Sequence, residues 1–410
     1  MNQPTKARTL PTEPAHSHYD IVIVGGAMYG SSVSWWTITN PDFDGRILVV
    51  ERDPSYEFCS TTHTNSCIRQ QFSTETNIRI SQFGAEFIRD FKQYMDNDER
   101  VPEIILQSYG YMYLANNNDF ANILRQTHAI QKDCGAGTEL MTKDQIAEAY
   151  PFYNVDDIVL GSHNRVNEGY FDGATIFDWW KRKAREKGVE FIHNQVVDMT
   201  LDASGKQVTE VKLQSGTQVG CDKVVNASGP RATVTSRMAG IELPVEPRKR
   251  YTFIFDAAEP LGQDLPLTID PTGIHMRTDG QYFLAGCPPD DDPAVAYDDF
   301  EPQPDIFEEK VWPVLANRVP KFEAIKLTNM WVGHYAFNTL DQNAIIGPHT
   351  EVENFYFVNG FSGHGLQQSP ALGRATSELL VYGEFRTLDL TPLRYDRVAA
   401  SEPYLELAVI

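Results

Sequence analysis

Basic residues are scarce in this chain. Lysine and arginine total 35 against 56 aspartates and glutamates, a net charge of −21 over 410 residues. A surface this acidic is repelled by nucleic acid and by anionic membranes, so neither is an expected partner. Cysteine is sparse as well: five residues, Cys59, Cys67, Cys134, Cys221 and Cys287, widely spaced and without a C-x-x-C pair. That pattern predicts reduced thiols in a cytoplasmic setting and no metal site. No apolar run approaches the ~18 residues of a membrane-spanning helix. Residues 1–17 are polar, have no apolar signal-peptide core, and read as a disordered tail. H-E-x-x-H, G-x-S-x-G and the P-loop G-K-[ST] are all missing, which removes the usual zinc-protease, serine-hydrolase and NTPase readings.

What remains is an ordinary globular composition, 41% hydrophobic and 22% charged, organised around Tyr19–Gly30, YDIVIVGGAMYG. An apolar run (Ile21–Val24) meets Gly25 and Gly26, then Gly30, then a helix-compatible SSVSWWT. A second apolar strand ends in Glu51 and Arg52 roughly 20–25 residues on. Strand, tight turn, helix N-terminus and distal carboxylate form a dinucleotide site. Backbone N–H groups and the helix dipole face the pyrophosphate, and the acid takes the ribose hydroxyls. Ala27 stands where the middle glycine of G-x-G-x-x-G belongs, putting a methyl at the closest phosphate approach.

Apolar periodicity predicts helices over 78–95, 119–133, 142–149, 305–318 and after Glu168-Gly-Tyr up to Gly188. Strands are expected over 108–116, 189–202, 206–216 and 222–230, and short alternating ones over 250–290, with turns at Pro271–Gly273 and Asp279–Gly280. Near the C-terminus FSGHGLQQSP takes an apolar strand through small residues into a helix. That helix N-terminus can stabilise an anionic ring edge, such as that of a reduced flavin. Arg69 lies in a charge-poor stretch; it suits a bidentate hold on a substrate carboxylate, a flavin phosphate contact or a surface position. On the strand GIHMR, His275 and Arg277 share a face; His275 can serve as a base or a polar wall, or the face can be solvated.

These pieces resemble the FAD-dependent amine and amino-acid oxidoreductases of the D-amino-acid oxidase superfamily. They are IVIVGGAMYG with ILVVERD, STTHTNSCIRQQF, VVNASGPRA, and NTLDQNAIIGPH with GFSGHGLQQSP. The nearest branch resembles sarcosine oxidase, the sarcosine and dimethylglycine dehydrogenases, and the mitochondrial FAD-dependent oxidoreductases linked to respiratory complex I assembly. The resemblance implies that Gly25, Gly26, Ala27, Gly30, Glu51 and Arg52 hold the ADP half of FAD. It implies Ser60, Thr61 and Thr62 near the pyrophosphate or ring, Val197 and Gly229 at the adenosine, and Gly363, His364, Gly365 and Leu366 against the ring. Arg69 falls at the family's carboxylate-binding arginine. Gln367 replaces a second carboxylate-binding lysine of sarcosine oxidase. His334 stands where that enzyme has a flavin-linking cysteine, so FAD is expected non-covalent, with a link through His334 as the minor alternative. Leu284 stands near its oxygen-activating lysine, and no lysine occurs between Lys249 and Lys310.

The expected fold is α/β. A Rossmann-like FAD-binding domain (18–95, 150–240, 330–400) is interleaved with a mixed or antiparallel-sheet substrate domain (96–149, 241–329). The expected reaction is oxidation of a C–N bond in an amino acid or N-alkyl amino acid by hydride transfer to flavin N5, followed by imine hydrolysis. Arg69, His275, Arg277 and Gln367 would face the substrate. A dehydrogenase is favoured over a fast oxidase, its acceptor being oxygen or a respiratory carrier, and the protein is expected as a monomer or small homo-oligomer. The alternatives are a 2-hydroxy-acid dehydrogenase and a low-turnover FAD-containing assembly factor.

Overall fold

The computed structural model describes residues 10–407. The chain opens with β1 (His18–Val24), α1 (Met28–Ile38) and β2 (Ile47–Glu51). Next come β3 (Cys67–Ile68), α2 (Glu75–Arg89), α3 (Phe91–Tyr94), β4 (Tyr111–Ala115) and α4 (Asn118–Asp133). Then follow β5 (Glu139–Met141), α5 (Lys143–Ala149), β6 (Leu160–Asn164), β7 (Gly169–Tyr170) and α6 (Gly173–Glu186). β8 (Glu190–His193), β9 (Val196–Leu201), β10 (Val208–Leu213) and β11 (Gln218–Asn226) precede α7 (Ala232–Arg237). β12 (Val245–Ala257), β13 (Leu267–Ile269), β14 (His275–Asp279) and β15 (Tyr282–Cys287) lead to α8 (Trp312–Arg318). The chain closes with β16 (Ile325–Asn338), β17 (Ile345–Pro348), β18 (Phe355–Asn359), α9 (Gly365–Tyr382) and α10 (Asp396–Ala400).

The described strands form two eight-stranded sheets and a two-stranded one, β3-β7. The first runs β17-β18-β11-β1-β2-β8, with β9 and β10 appended beside β11. Its centre is parallel, and the central strands β1 and β2 are apolar on both faces because helices cover one side and the β9–β10 hairpin and α7 the other. Trp35, Phe87 and Trp180, from α1, α2 and α6, interlock over one face. Trp180 is fully buried, and truncating it would cost about 3–5 kcal/mol. Helix α1 carries Ser31, Ser32 and Ser34 instead of long side chains, which lets α9 lie close: a Cβ on Gly373 would sit 1.9 Å from Ser32 Oγ.

The second sheet runs β16-β12-β15-β14-β13-β4-β6-β5 and is antiparallel except where β13 meets β4. Alternation along β12 buries Tyr251, Phe253 and Phe255 in the core under α8. Three helices start on side-chain caps: Asn117 on α4, a Thr142–Gln145 capping box on α5, and Asp172 on α6. The helix expected over 305–318 begins instead as a π-turn, Phe307–Val311, before α8; Pro313 has no N–H to give an ordinary α ladder there.

Strands of the two sheets alternate along the chain. Strand β6 lies in the second sheet, although 150–240 reads as FAD-domain sequence, and so does the start of 330–400, which is the end of β16. Residues 1–9 lie outside the described residues, but 10–17, expected in the disordered tail, are held along the first sheet. His193 N–H donates to Pro11 O (2.8 Å), Asn194 Nδ2 to Thr12 O (2.8 Å) and Gly220 N–H to Ser17 O (2.9 Å). The backbone hydrogen bonds at the sheet edge order a segment whose side chains give no periodic signal.

Candidate active site

A cavity of about 470 Å³ lies between the sheets. At one end the Gly25 turn (φ 97°) packs so tightly that a Cβ would lie 2.6 Å from Ala227 O, and a Cβ on Gly30 would lie 1.9 Å from Gly25 O. Glu51 closes this end. Its Oε2 accepts from Gly26 N–H (2.7 Å) and its Oε1 from Asp53 N–H (2.8 Å). Burial pushes its pKa up, opposed by those two N–H groups. Ala27 is the N-cap of α1 and supplies no side-chain cap. Thr61 does reach this terminus: Met28 N–H donates to Thr61 Oγ1 (3.3 Å).

Gly25, Ala27, Glu51, Arg52, Ser60, Thr61 and Gly229 line the cavity. Gly26 and Gly30 support it from behind by the contacts above. Thr62 turns away and donates to Tyr56 O (2.7 Å). Val197 is 40% exposed, and it is Val196 that lines the cavity. A strand alternates faces every residue, so the expected position was off by one.

The other end is a cradle lined by the turn into α9 and by Tyr29 and Tyr335. Phe361 stacks flat on Tyr29 (3.8 Å, 2°), and Tyr29 Oη donates to Gly365 O (2.7 Å). Ser362 and Gly363 both take positive φ (47° and 98°), and a Cβ on Gly363 would lie 2.4 Å from the Tyr335 ring. The turn delivers the start of α9, whose N-cap residue His364 makes no side-chain cap. Arg69, His364 and Gln367 meet here. Arg69 NH2 donates to His364 Nε2 (2.9 Å), Arg69 N–H donates to Gln367 Oε1 (2.8 Å), and Phe72 lies 4.0 Å beneath the guanidinium. Burial and then the Arg69 charge hold His364 well below its ordinary pKa, so it is neutral and accepts from Arg69. Gly363, Gly365 and Leu366 also line this end.

The wall opposite comes from the second sheet. His275 Nε2 accepts from Asn65 Nδ2 (2.8 Å), and burial, then Arg277 and Arg250, push it down to about 4. Arg277 does not reach the cavity. Its guanidinium is held by Asp279 (2.7 Å) and Thr278 O (2.8 Å) and lies over Tyr170 (4.1 Å). Strand alternation put it on the face of His275, but a carboxylate two residues on captures it. His334 lines the cavity with Nε2 donating to Asp299 O (2.8 Å). Leu284 is buried in β15 and does not line the cavity.

Two further ionisable residues, Arg250 and Glu168, shape this end of the site. Arg250 lines the cavity 4.4 Å over Tyr335 and forks onto Asp292 (2.6 and 2.9 Å). The only sequence sign of this pair was basic alternation on β12 beside an acidic turn. Glu168 is fully buried and accepts from Gln70 N–H (2.6 Å), Gln71 Nε2 (2.9 Å) and Asn164 Nδ2 (2.8 Å). Burial pushes it up to about 7 against those donors. It fixes the segment carrying Arg69, because Arg69 NH1 donates to Gln71 O.

A family model described as "DAO: FAD dependent oxidoreductase" matches residues 20–379. The chain belongs to this family. Its relatives include "FAD-dependent oxidoreductase domain-containing protein 1" of Xenopus laevis, 37% identical, covering 99% of this chain and 87% of that one. Mouse mitochondrial sarcosine dehydrogenase is 23% identical over 91% of this chain but only 41% of its own length. Among solved structures, the DAO fold is matched by L-proline dehydrogenase of P. horikoshii (TM-score 0.80, 22% identity, 97% and 100% covered). Glycine oxidase of Geobacillus kaustophilus follows (TM-score 0.76, 18% identity, 92% and 98% covered).

The residues fit FAD, the cofactor of the DAO family. The Gly25–Gly30 turn and Glu51 suit the ADP half, and the cradle of Gly363 against Tyr335, at the head of α9, suits a flat ring. Among the described residues no helix is long and apolar enough to cross a membrane.

Proposed function

We propose that this FAD-dependent oxidoreductase oxidises the C–N bond of an amino acid or N-alkyl amino acid. The observation that carries the reading is Arg69, a buried guanidinium at the cradle end of the cavity, joined to His364 and to Gln367. A cation lining a site beside a ring cradle suits a substrate carboxylate. FAD bound there would supply a two-electron acceptor, taking hydride at N5 from the carbon next to nitrogen. Arg69 would orient the acid so that this carbon faces the ring. Neutral His364 and His275 would line the pocket without adding charge, and an amine bound unprotonated needs no general base. The imine then hydrolyses in water. An L-proline dehydrogenase and a glycine oxidase share this fold, in keeping with an amino-acid substrate.

Dehydrogenase chemistry is favoured over fast reaction with oxygen. A preorganised cation near the ring promotes electron transfer to oxygen; here no lysine lines the cavity among the described residues, Arg250 is paired with Asp292, and Arg69 would be taken up by the substrate carboxylate. The test is anaerobic bleaching of the bound flavin by N-methyl, D- and L-amino acids, their amides, and 2-hydroxy acids. The amine acids should bleach it, their amides much more slowly. Bleaching by 2-hydroxy acids alone would overturn the reading.

A further inference from the structure

A short segment from the second-sheet side crosses the cavity. Its approach is pinned to β12, where Ala294 bridges Arg248 and Val295 N–H donates to Pro247 O (3.0 Å). Tyr297, Asp298 and Phe300 then line the cavity. Phe300 stacks flat on His334 (4.1 Å, 13°) and touches exposed Phe58 (5.1 Å). His334 Nε2 donates to Asp299 O (2.8 Å). Lys249, facing His334 across the β12–β16 ladder, donates to Asp299 Oδ1 (2.6 Å) and to Glu301 O (2.8 Å). At the nucleotide end Tyr297 lies 5.2 Å under Arg231, two residues past the Gly229 turn. The segment is thus anchored on the long ribbon of the second sheet and reaches residues of the first.

Lys249 is buried while Asp299 is partly open. A buried lysine left without its partners carries an uncompensated charge, so its bonds fix the segment against β12 beside the cavity. Nothing on β12 alone requires a lysine at that place.

We propose that Tyr297–Phe300 is a strap that retains FAD in the cavity, with Phe300 and the Lys249–Asp299 pair as its lock. The strap acts on the escape of the cofactor. Its loss therefore appears in the rate at which FAD leaves, whatever the substrate is.

The experiment follows flavin fluorescence as holoprotein is diluted. Phe300→Ala should release FAD about tenfold faster through lost stacking, and Lys249→Met about fivefold faster through the lost ion pair. The double variant should be little faster than Phe300→Ala, since both undo one latch. Phe300→Tyr, which keeps the ring, should release at the parent rate, a rescue that general destabilisation would not give. Parent-like release in Phe300→Ala, or fast release in Phe300→Tyr, overturns the proposal. Hydrogen exchange of residues 295–301 in the unsubstituted protein supplies an arm that needs no variant: added FAD should slow it, and equal exchange with and without FAD overturns the proposal.

Discussion

Gly30 is the most constrained residue of the nucleotide turn. With a Cβ 1.9 Å from Gly25 O, Gly30→Ala must displace backbone. The expected product is a folded but colourless protein, read as the ratio of flavin to protein absorbance. Ala27→Gly should keep its FAD, since Ala27 already lines the cavity without a clash. Glu168 gives a pH signature. An unfolded chain ionises it near 4.5, the native protein near 7. Between those values the native state binds more protons than the unfolded one, so stability falls as pH rises, by roughly 3 kcal/mol in all. In Glu168→Gln this component vanishes: denaturant midpoints at about pH 5 and pH 8 should differ less than in the parent. Local turn chemistry made Gly25, Gly30 and Glu51 legible in the sequence. Glu168 and Arg250 were not legible: apart from Asn164, Glu168 is held by Gln70 and Gln71, 98 and 97 residues away, and Arg250 pairs with Asp292, 42 residues away. Arg277 differs for the opposite reason: its captor, Asp279, is only two residues away, and so local a capture leaves the face alternation of the strand unchanged.

Among the elements, the turn into α9 sets the electrostatics of the ring end. Gly363 holds φ 98° with Tyr335 against it, so Gly363→Ala should tilt the α9 N-terminus away from the cradle. Weakening a partly buried helix-end interaction by about 1–2 kcal/mol should lower the two-electron midpoint potential by roughly 30 mV, measured by dye-equilibrated reduction. Helix identities were readable: 119–133 was expected and α4 spans Asn118–Asp133, because caps and apolar spacing are local. Sheet order was not readable. The placement of β18 beside β11 and of β4 beside β13 depends on pairings more than a hundred residues apart, and β6 entered the second sheet through its pairing with β4, which leaves no mark on its own sequence.

At the scale of the molecule, the cavity exists only because two sheets contribute to it. Glycine turns from the first face a wall of His275, Arg250 and Tyr335 from the second. The neutralised Arg250 predicts that reduced protein mixed with oxygen in a stopped-flow instrument will reoxidise slowly compared with its reduction by substrate. The central claim is that the bond broken is C–N. It is tested by one anaerobic turnover with an amino acid that bleaches the flavin, followed by assay of the quenched mixture for free amine. With an acyclic substrate we predict one equivalent of released amine (ammonia from a primary amino acid, the alkylamine or the dealkylated amino acid from an N-alkyl one), with one of carbonyl product, per flavin reduced. A bleached flavin with carbonyl product and no released amine would contradict it.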